Sequence, residues 1–220
     1  MQTVVESVLS PGSKHVEPPE RVVIIGANTG GPQALAQLLP QFPAGFPDTI
    51  IVIQQMRPGF TRVLVDQLGS LCQLPAYEPS DGQGLQRSTV LIVPSGTSFT
   101  LSEAIGSPTL GYEIRLDDVR NDTERYPNRV NEAMISAAAV FSDRAVGVLL
   151  TGLGGDGTEG MRAISAAGGL TIAQDAASSI VHDMALRAID AGVVAEVLPL
   201  WNIADRIRIP AIGEVNANAA

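Results

Sequence analysis

Three polar residues stand where a sheet protein would keep its chemistry. Asn28, Gln55 and Asp156 each fall two to six residues beyond a short apolar run, inside turns rich in glycine or proline: Gly26-Ala27-Asn28-Thr29-Gly30-Gly31, Gln54-Gln55-Met56-Arg57-Pro58-Gly59-Phe60-Thr61 and Gly152-Leu153-Gly154-Gly155-Asp156-Gly157. Ester hydrolysis through an acyl-enzyme needs an oxygen nucleophile and a base that titrates near neutrality. Where a hydrolase would place a hydroxyl and an imidazole, these segments offer two carboxamides. The Asn28 nitrogen lone pair is delocalised into its carbonyl, and the Gln55 amide does not protonate in the accessible pH range. A carboxamide can still donate and accept hydrogen bonds.

Bringing such distant residues together requires a sheet. Val22–Ile25, Ile50–Ile53, Val90–Val93, Ala145–Leu150, Leu170–Ala173 and Val193–Val197 are short and apolar on consecutive positions. Strands buried on both faces have that pattern, and they belong to parallel sheets. Helical patterns alternate with them at Pro32–Leu39, Phe60–Leu68, Val130–Val140, Thr158–Ala167, Met184–Ala191 and Leu200–Arg206. The expected fold is therefore α/β, a doubly wound and mostly parallel sheet with helices on both faces. Residues 97–116 differ: Ser98–Ser102 and Tyr112–Leu116, separated by Gly106, Pro108 and Gly111, read as a small antiparallel excursion. In an open parallel sheet, reactive groups collect beyond the carboxyl ends of the strands, so the three polar residues are expected to share one crevice.

The chain of 220 residues is long enough for one domain with short appendages. Residues 1–20 hold Pro11, Gly12, Ser13, Pro18 and Pro19 and read as a lead-in or linker; 21–209 read as the domain and 210–220 as a tail. A formal charge of −9, from 23 acidic residues against 14 basic ones, opposes a nucleic-acid binder, which needs clustered positive charge. Cys72 is alone, which excludes an internal disulfide and a thiolate metal cluster, and it reads as a small buried hydrophobe. No metal and no cofactor is expected. The start carries no secretory pattern, and no apolar run approaches the ~18–20 residues a membrane span needs, so a cytoplasmic protein with no membrane insertion is expected.

A glycine-rich turn before a helix could bind a nucleotide phosphate. The first turn lacks the spacing of the dinucleotide fingerprint and the Lys of a phosphate loop, and no acidic residue ends the second strand to hold a ribose. Nor is there a Tyr-x-x-x-Lys pair: Tyr77, Tyr112 and Tyr126 are followed four residues on by Asp81, Leu116 and Val130.

Taken together, the motifs resemble the catalytic domain of the chemotaxis receptor methylesterases, the CheB family, from about residue 21 to 207. The resemblance is carried by Ile24–Gly31, Gln54–Thr61, Val146–Gly157 and Ala173-Gln174-Asp175. It implies a protein-glutamate methylesterase fold in signal transduction, with a chemoreceptor or another signalling protein as partner. In the family pattern the three turns read Gly-Ala-Ser-Thr-Gly-Gly, Gln-His-Met-Pro-Pro-Gly-Phe-Thr and Gly-Met-Gly-x-Asp-Gly. Laid on this chain, the nucleophile position is Asn28, the general-base position is Gln55, and the orienting acid survives as Asp156. Thr29, Gly30, Leu153 and Gly154 fall where turn and oxyanion support would lie.

Other departures fall nearby: Arg57 replaces a proline, Phe99 lacks a neighbouring histidine, and Asn128-Arg129-Val130-Asn131 replaces Pro-Ser-Val-Asp. Losing the nucleophile or base of such a triad costs on the order of a million-fold in turnover, and the losses do not add. The expectation is a methylesterase fold without esterase activity. Two alternatives stand beside it: a methylesterase or deamidase using non-standard groups, with His182 as a possible alternative base, and a small-molecule sensor on the same fold.

Overall fold

The computed structural model describes residues 17–57, 59–104, 111–118 and 129–209. The lead-in up to residue 16, the tail from 210, the turn at Gly106 and Pro108, and Asn128 lie outside the described residues. Strands β1 (Val22–Ala27), β2 (Thr49–Gln54), β3 (Ala76–Tyr77), β4 (Thr89–Ile92), β5 (Thr97–Glu103), β6 (Tyr112–Asp118), β7 (Ala145–Leu149), β8 (Leu170–Gln174) and β9 (Glu196–Leu198) are interleaved with helices. These are α1 (Gly31–Leu38), α2 (Thr61–Gly69), α3 (Arg129–Phe141), α4 (Thr158–Ala166), α5 (Asp183–Asp190) and α6 (Leu200–Arg208).

Seven strands form one parallel sheet in the order β3-β4-β2-β1-β7-β8-β9. The expected antiparallel excursion is the pair β5–β6, in register from Thr97↔Asp118 to Glu103↔Tyr112. Most bounds shift by a residue or two, and two strands depart further from expectation. β3 has only two half-buried residues and therefore no apolar run to announce it. The last strand is not Val193–Val197 but Glu196–Leu198, because Val193 turns into the core beneath α5 and only the following segment reaches the sheet edge.

The apolar runs are continuous because both faces of the sheet are covered. Val23, Ile25 and Ala27 of β1 pack with Leu35 and Leu38 of α1, Leu64 and Leu68 of α2, and Ile203 and Ile207 of α6. Val22 and Ile24 point the other way, onto Val130 and Met134 of α3, Met161 of α4, Met184 of α5, and Phe99 and Ile114 of the antiparallel pair. The two-residue alternation of the strand thus divides one uninterrupted hydrophobic run between two cores.

After β1 the chain builds outward through β2 to β4 and later returns to lay β7 on the other side of β1. That reversal between β1 and β7 is a topological switch point, where the connections leave in opposite directions and open a crevice. Asn28 follows β1, Gln55 follows β2 and the Asp156 turn follows β7. The register sets them level, with Ala27 opposite Gln54 and Gly26 opposite Leu149.

At the opposite edge Arg21 and Asp48 tie the starts of β1 and β2 together. Asp48 is fully buried; its carboxylate accepts from the Arg21 backbone at 3.2 Å, from Nε at 3.1 Å and from Nη2 at 2.7 Å. Burial pushes the Asp48 carboxyl above its usual range, while Arg21 pulls it back. A group whose folded-state pKa is raised contributes stability that is complete below its unfolded pKa and is lost as the pH climbs through the folded value. Removing Arg21 deletes the opposing pull and leaves a buried charge uncompensated. We therefore predict that Arg21→Met loses about 3 kcal/mol at pH 7 in urea unfolding, and that the deficit relative to the parent shrinks at pH 5 as Asp48 protonates. An equal deficit at both pH values would contradict this account of the pair.

Candidate functional site

The site is built outward from Asp156. Its carboxylate is largely buried and receives three N–H donors: Val130 N at 3.0 Å and Gln55 Nε2 at 2.6 Å on Oδ2, and Asn131 N at 2.9 Å on Oδ1. Val130 and Asn131 lie in the first turn of α3, where backbone N–H groups lack intrahelical partners and the helix dipole favours an anion. Asp156 therefore caps a helix from a remote segment. The service is returned, because Asn131 Oδ1 accepts from Gly157 N and Gly160 N, both at 2.9 Å, and so caps the start of α4. Burial raises the Asp156 pKa above its usual range, and the two backbone donors, Gln55 and the nearby Arg129 charge oppose that rise.

From Asp156 the hydrogen bonds run outward through both amides. Gln55 Oε1 accepts from Asn28 Nδ2 at 2.9 Å, and the same Asn28 nitrogen donates to the Leu153 carbonyl at 3.1 Å. The direction of the relay follows from Asp156. An ionised carboxylate only accepts, so Gln55 must turn its NH2 inward and its oxygen outward; Asn28 must then present its own NH2, whose two hydrogens are taken by Gln55 and Leu153.

Backbone contacts hold the amides in place. Asn28 N donates to Thr151 O at 3.1 Å and Gln55 N to Ala27 O at 2.9 Å, which carries the parallel ladder one residue past the strands. Gln54 is almost fully buried, and its Nε2 donates to Asn28 O and Gln55 O, both at 2.9 Å. Gly152 is needed for close approach, since a Cβ there would lie 2.7 Å from the Asn28 Cβ.

The other residues singled out from sequence surround this relay. Thr29 is exposed, and its carbonyl accepts from Thr151 Oγ1 at 2.9 Å. Gly30 precedes α1 with φ of 84°. Leu153 is exposed, and Gly154 N donates to Asp183 Oδ2 at 2.8 Å. That bond, together with Arg187, holds the Asp183 carboxyl below its usual range. His182 sits at the start of α5 with Nδ1 buried, and it bonds to none of Asn28, Gln55 and Asp156 among the described residues. Arg57 is exposed beside the second turn.

Sequence reasoning missed two supports. Gln54 carried a faint signal, a polar residue ending a wholly apolar strand. The reciprocal caps of Asp156 and Asn131 carried none, because they join segments about 25 residues apart through side-chain geometry alone.

Behind the relay, Gln174 is fully buried, accepts from Thr151 N at 2.8 Å and donates to Ser178 O at 2.8 Å, anchoring the loop before α5. That loop carries exposed Ile180, which with Trp201 and Gly30 lines a cleft of about 130 Å³ beside the first turn. Among the described residues no helix is long and apolar enough to cross a membrane.

A parallel α/β sandwich with polar side chains converging at its switch point is the layout of a class of hydrolases that work from strand-end turns. The chain belongs to the CheB methylesterase family, whose model matches residues 23–207. It is 42% identical over 187 residues to a protein-glutamate methylesterase/protein-glutamine glutaminase of Carboxydothermus hydrogenoformans, covering 85% of this chain and 54% of that protein. To the protein of the same description from Symbiobacterium thermophilum it is 39% identical over 196 residues, covering 89% of this chain and 52% of the relative. The chain thus spans about half the length of these relatives. The crystal structure of the Thermotoga maritima CheB methylesterase catalytic domain matches with a TM-score of 0.78 at 31% identity, covering 86% of this chain and 97% of that one.

The caps give a prediction. Asp156→Asn offers one acceptor where two oxygens now take three donors, and it turns an NH2 toward N–H groups. It should lower unfolding stability by about 2 kcal/mol in urea titration. Unchanged stability would show that the starts of α3 and α4 do not depend on this carboxylate.

Proposed function

We propose that residues 21–209 form a CheB-type protein-glutamate methylesterase-like domain of chemotactic signal transduction that binds a chemoreceptor or another signalling protein in the cytoplasm without hydrolysing it. The observation that carries this reading is the Asp156–Gln55–Asn28 relay. It has the connectivity of an acid–base–nucleophile triad, yet neither amide in it can take a proton from an attacking oxygen. Asn28 stands at the family's nucleophile position and Gln55 at its base position. Because the unit fails once either is lost, what remains is binding plus any backbone donors, at most roughly a thousand- to ten-thousand-fold over water. Thr29 and Gly30 after β1, with Leu153 and Gly154 after β7, are proposed to support the turns.

The supports around the relay favour a retained architecture. Gln54 still fixes both backbone carbonyls, and Asp156 still caps α3.

The test is methanol release from a methylated receptor fragment by the native chain and by the Asn28→Ser, Gln55→His double variant. The native chain is expected to match the protein-free blank, and the double variant to exceed it. Native turnover comparable to that of an active relative would overturn the reading.

A further inference from the structure

We propose that Arg129 is the positioning residue of the relay, a fixed buried guanidinium that balances Asp156 and reserves position 55 for a neutral side chain. This rests on the reading of Gln55 as standing where a proton-accepting base would stand, and it names the residue that holds the site in that state.

Among the described residues the buried charged side chains are Asp48, Asp156 and Arg129. Asp48 is in direct contact with Arg21, whereas the donors to Asp156 are two backbone N–H groups and an amide, none of them charged. Arg129 opens α3 and directly precedes Val130, one of those donors. The fold sets where its side chain runs. Val130 lies over β1, where a Cβ on Gly26 would come within 2.6 Å of the Val130 Cγ1, and Arg129 Nη2 donates to Pro94 O at 3.1 Å, just past β4. The sheet runs β4-β2-β1, so a side chain that starts beside β1 and ends at Pro94 crosses the end of β2, the strand that Gln55 follows. The next residue, Ser95, donates its N–H to Thr61 Oγ1 at 2.9 Å, and Thr61 closes the turn that carries Gln55. The guanidinium is thereby anchored to elements on both sides of Gln55.

A buried carboxylate balanced by one fixed cation does not need a second. An imidazole that takes a proton becomes a cation, stabilised by the carboxylate that orients it. Beside Arg129 that cation would meet a like charge, which disfavours it, and in a buried pocket little solvent screens the two. A neutral amide meets no such penalty, and Gln55 gives Asp156 a hydrogen bond without adding charge. The other titratable or charged groups on the surrounding elements are Arg57 on the second turn, Glu132 on α3, Glu159 on α4, and His182, Asp183 and Arg187 at α5. Asp183 pairs with Arg187 and Glu159 with Arg162. Of all these charges, that of Arg129 is the one that acts on Asp156, where it opposes the effect of burial.

Gln55→His supplies the probe. It is made alone, together with Arg129→Met, which removes the charge at similar length, and together with Arg129→Lys, which keeps it. The introduced imidazole is titrated by NMR in each protein, its signals told apart from those of the native histidines by comparison with the native chain. Arg129→Met is expected to raise the pKa of the introduced imidazole by about one pH unit or more over Gln55→His alone, and Arg129→Lys to leave it near the value of Gln55→His alone. A purely structural role would not separate Lys from Met in this way. Equal values with and without the charge in folded proteins, or a Lys variant that follows the Met variant, would overturn the assignment. Should Arg129→Met not fold, Gln55→His alone decides: an imidazole titrating at or below the ordinary histidine value of about 6.5 supports the assignment, and one titrating above it overturns it. Turnover by the native chain, on which the non-catalytic reading stands or falls, does not enter this measurement.

Discussion

A buried carboxylate needs donors, and the way Asp156 obtains them organises the functional half of this molecule. Two come from the first turn of α3 and one from Gln55. The helix supplies unpaired N–H groups and a favourable dipole, which offset part of the cost of burying the charge. Through Asn131 the same helix holds the turn that carries Asp156. The carboxylate, two helix starts and the turn after β7 are thus mutually supporting, and the side chains beyond them inherit a fixed direction.

Under the proposed reading, that arrangement is how a site without the reaction keeps its form. In a triad the acid orients an imidazole and the imidazole a hydroxyl. Here the acid orients an amide and that amide another amide. Hydrogen bonds brace the turns, and Gln54 and the β1–β2 ladder hold the backbone beneath them. What is absent is a group that titrates near neutrality between the acid and the outermost side chain. Structure and proton transfer make separable demands on the same residues, and the proposed reading has this chain meeting the first.

Much of the fold could be read from the sequence because β1, β2, β4 and β7 are buried on both faces, and continuous apolar runs in alternation with helical patterns have few other solutions. The short edge strands were harder. β3 has two half-buried residues, and β9 begins after Val193 has turned into the opposite core, so no run marks either boundary. The positions of Asn28, Gln55 and Asp156 were legible as polar residues just past strand ends, and their proposed roles came from the resemblance of the turns to a known family. The direction of the relay was not legible. It depends on which atom of each amide faces the next, and that follows from a carboxylate whose partners at Val130 and Asn131 have no sequence signature.

Asp156 sets the direction of the relay, and the two amides carry no proton that transfers near neutrality. Neutron diffraction from deuterium-exchanged crystals at pH 7 tests this most directly, because it locates the hydrogens themselves. The account predicts an unprotonated Asp156, deuterium on Gln55 Nε2 directed at Asp156 Oδ2, and both deuteria of Asn28 Nδ2 directed at Gln55 Oε1 and the Leu153 carbonyl. A deuteron on Asp156, or the Gln55 oxygen facing it, would contradict the account.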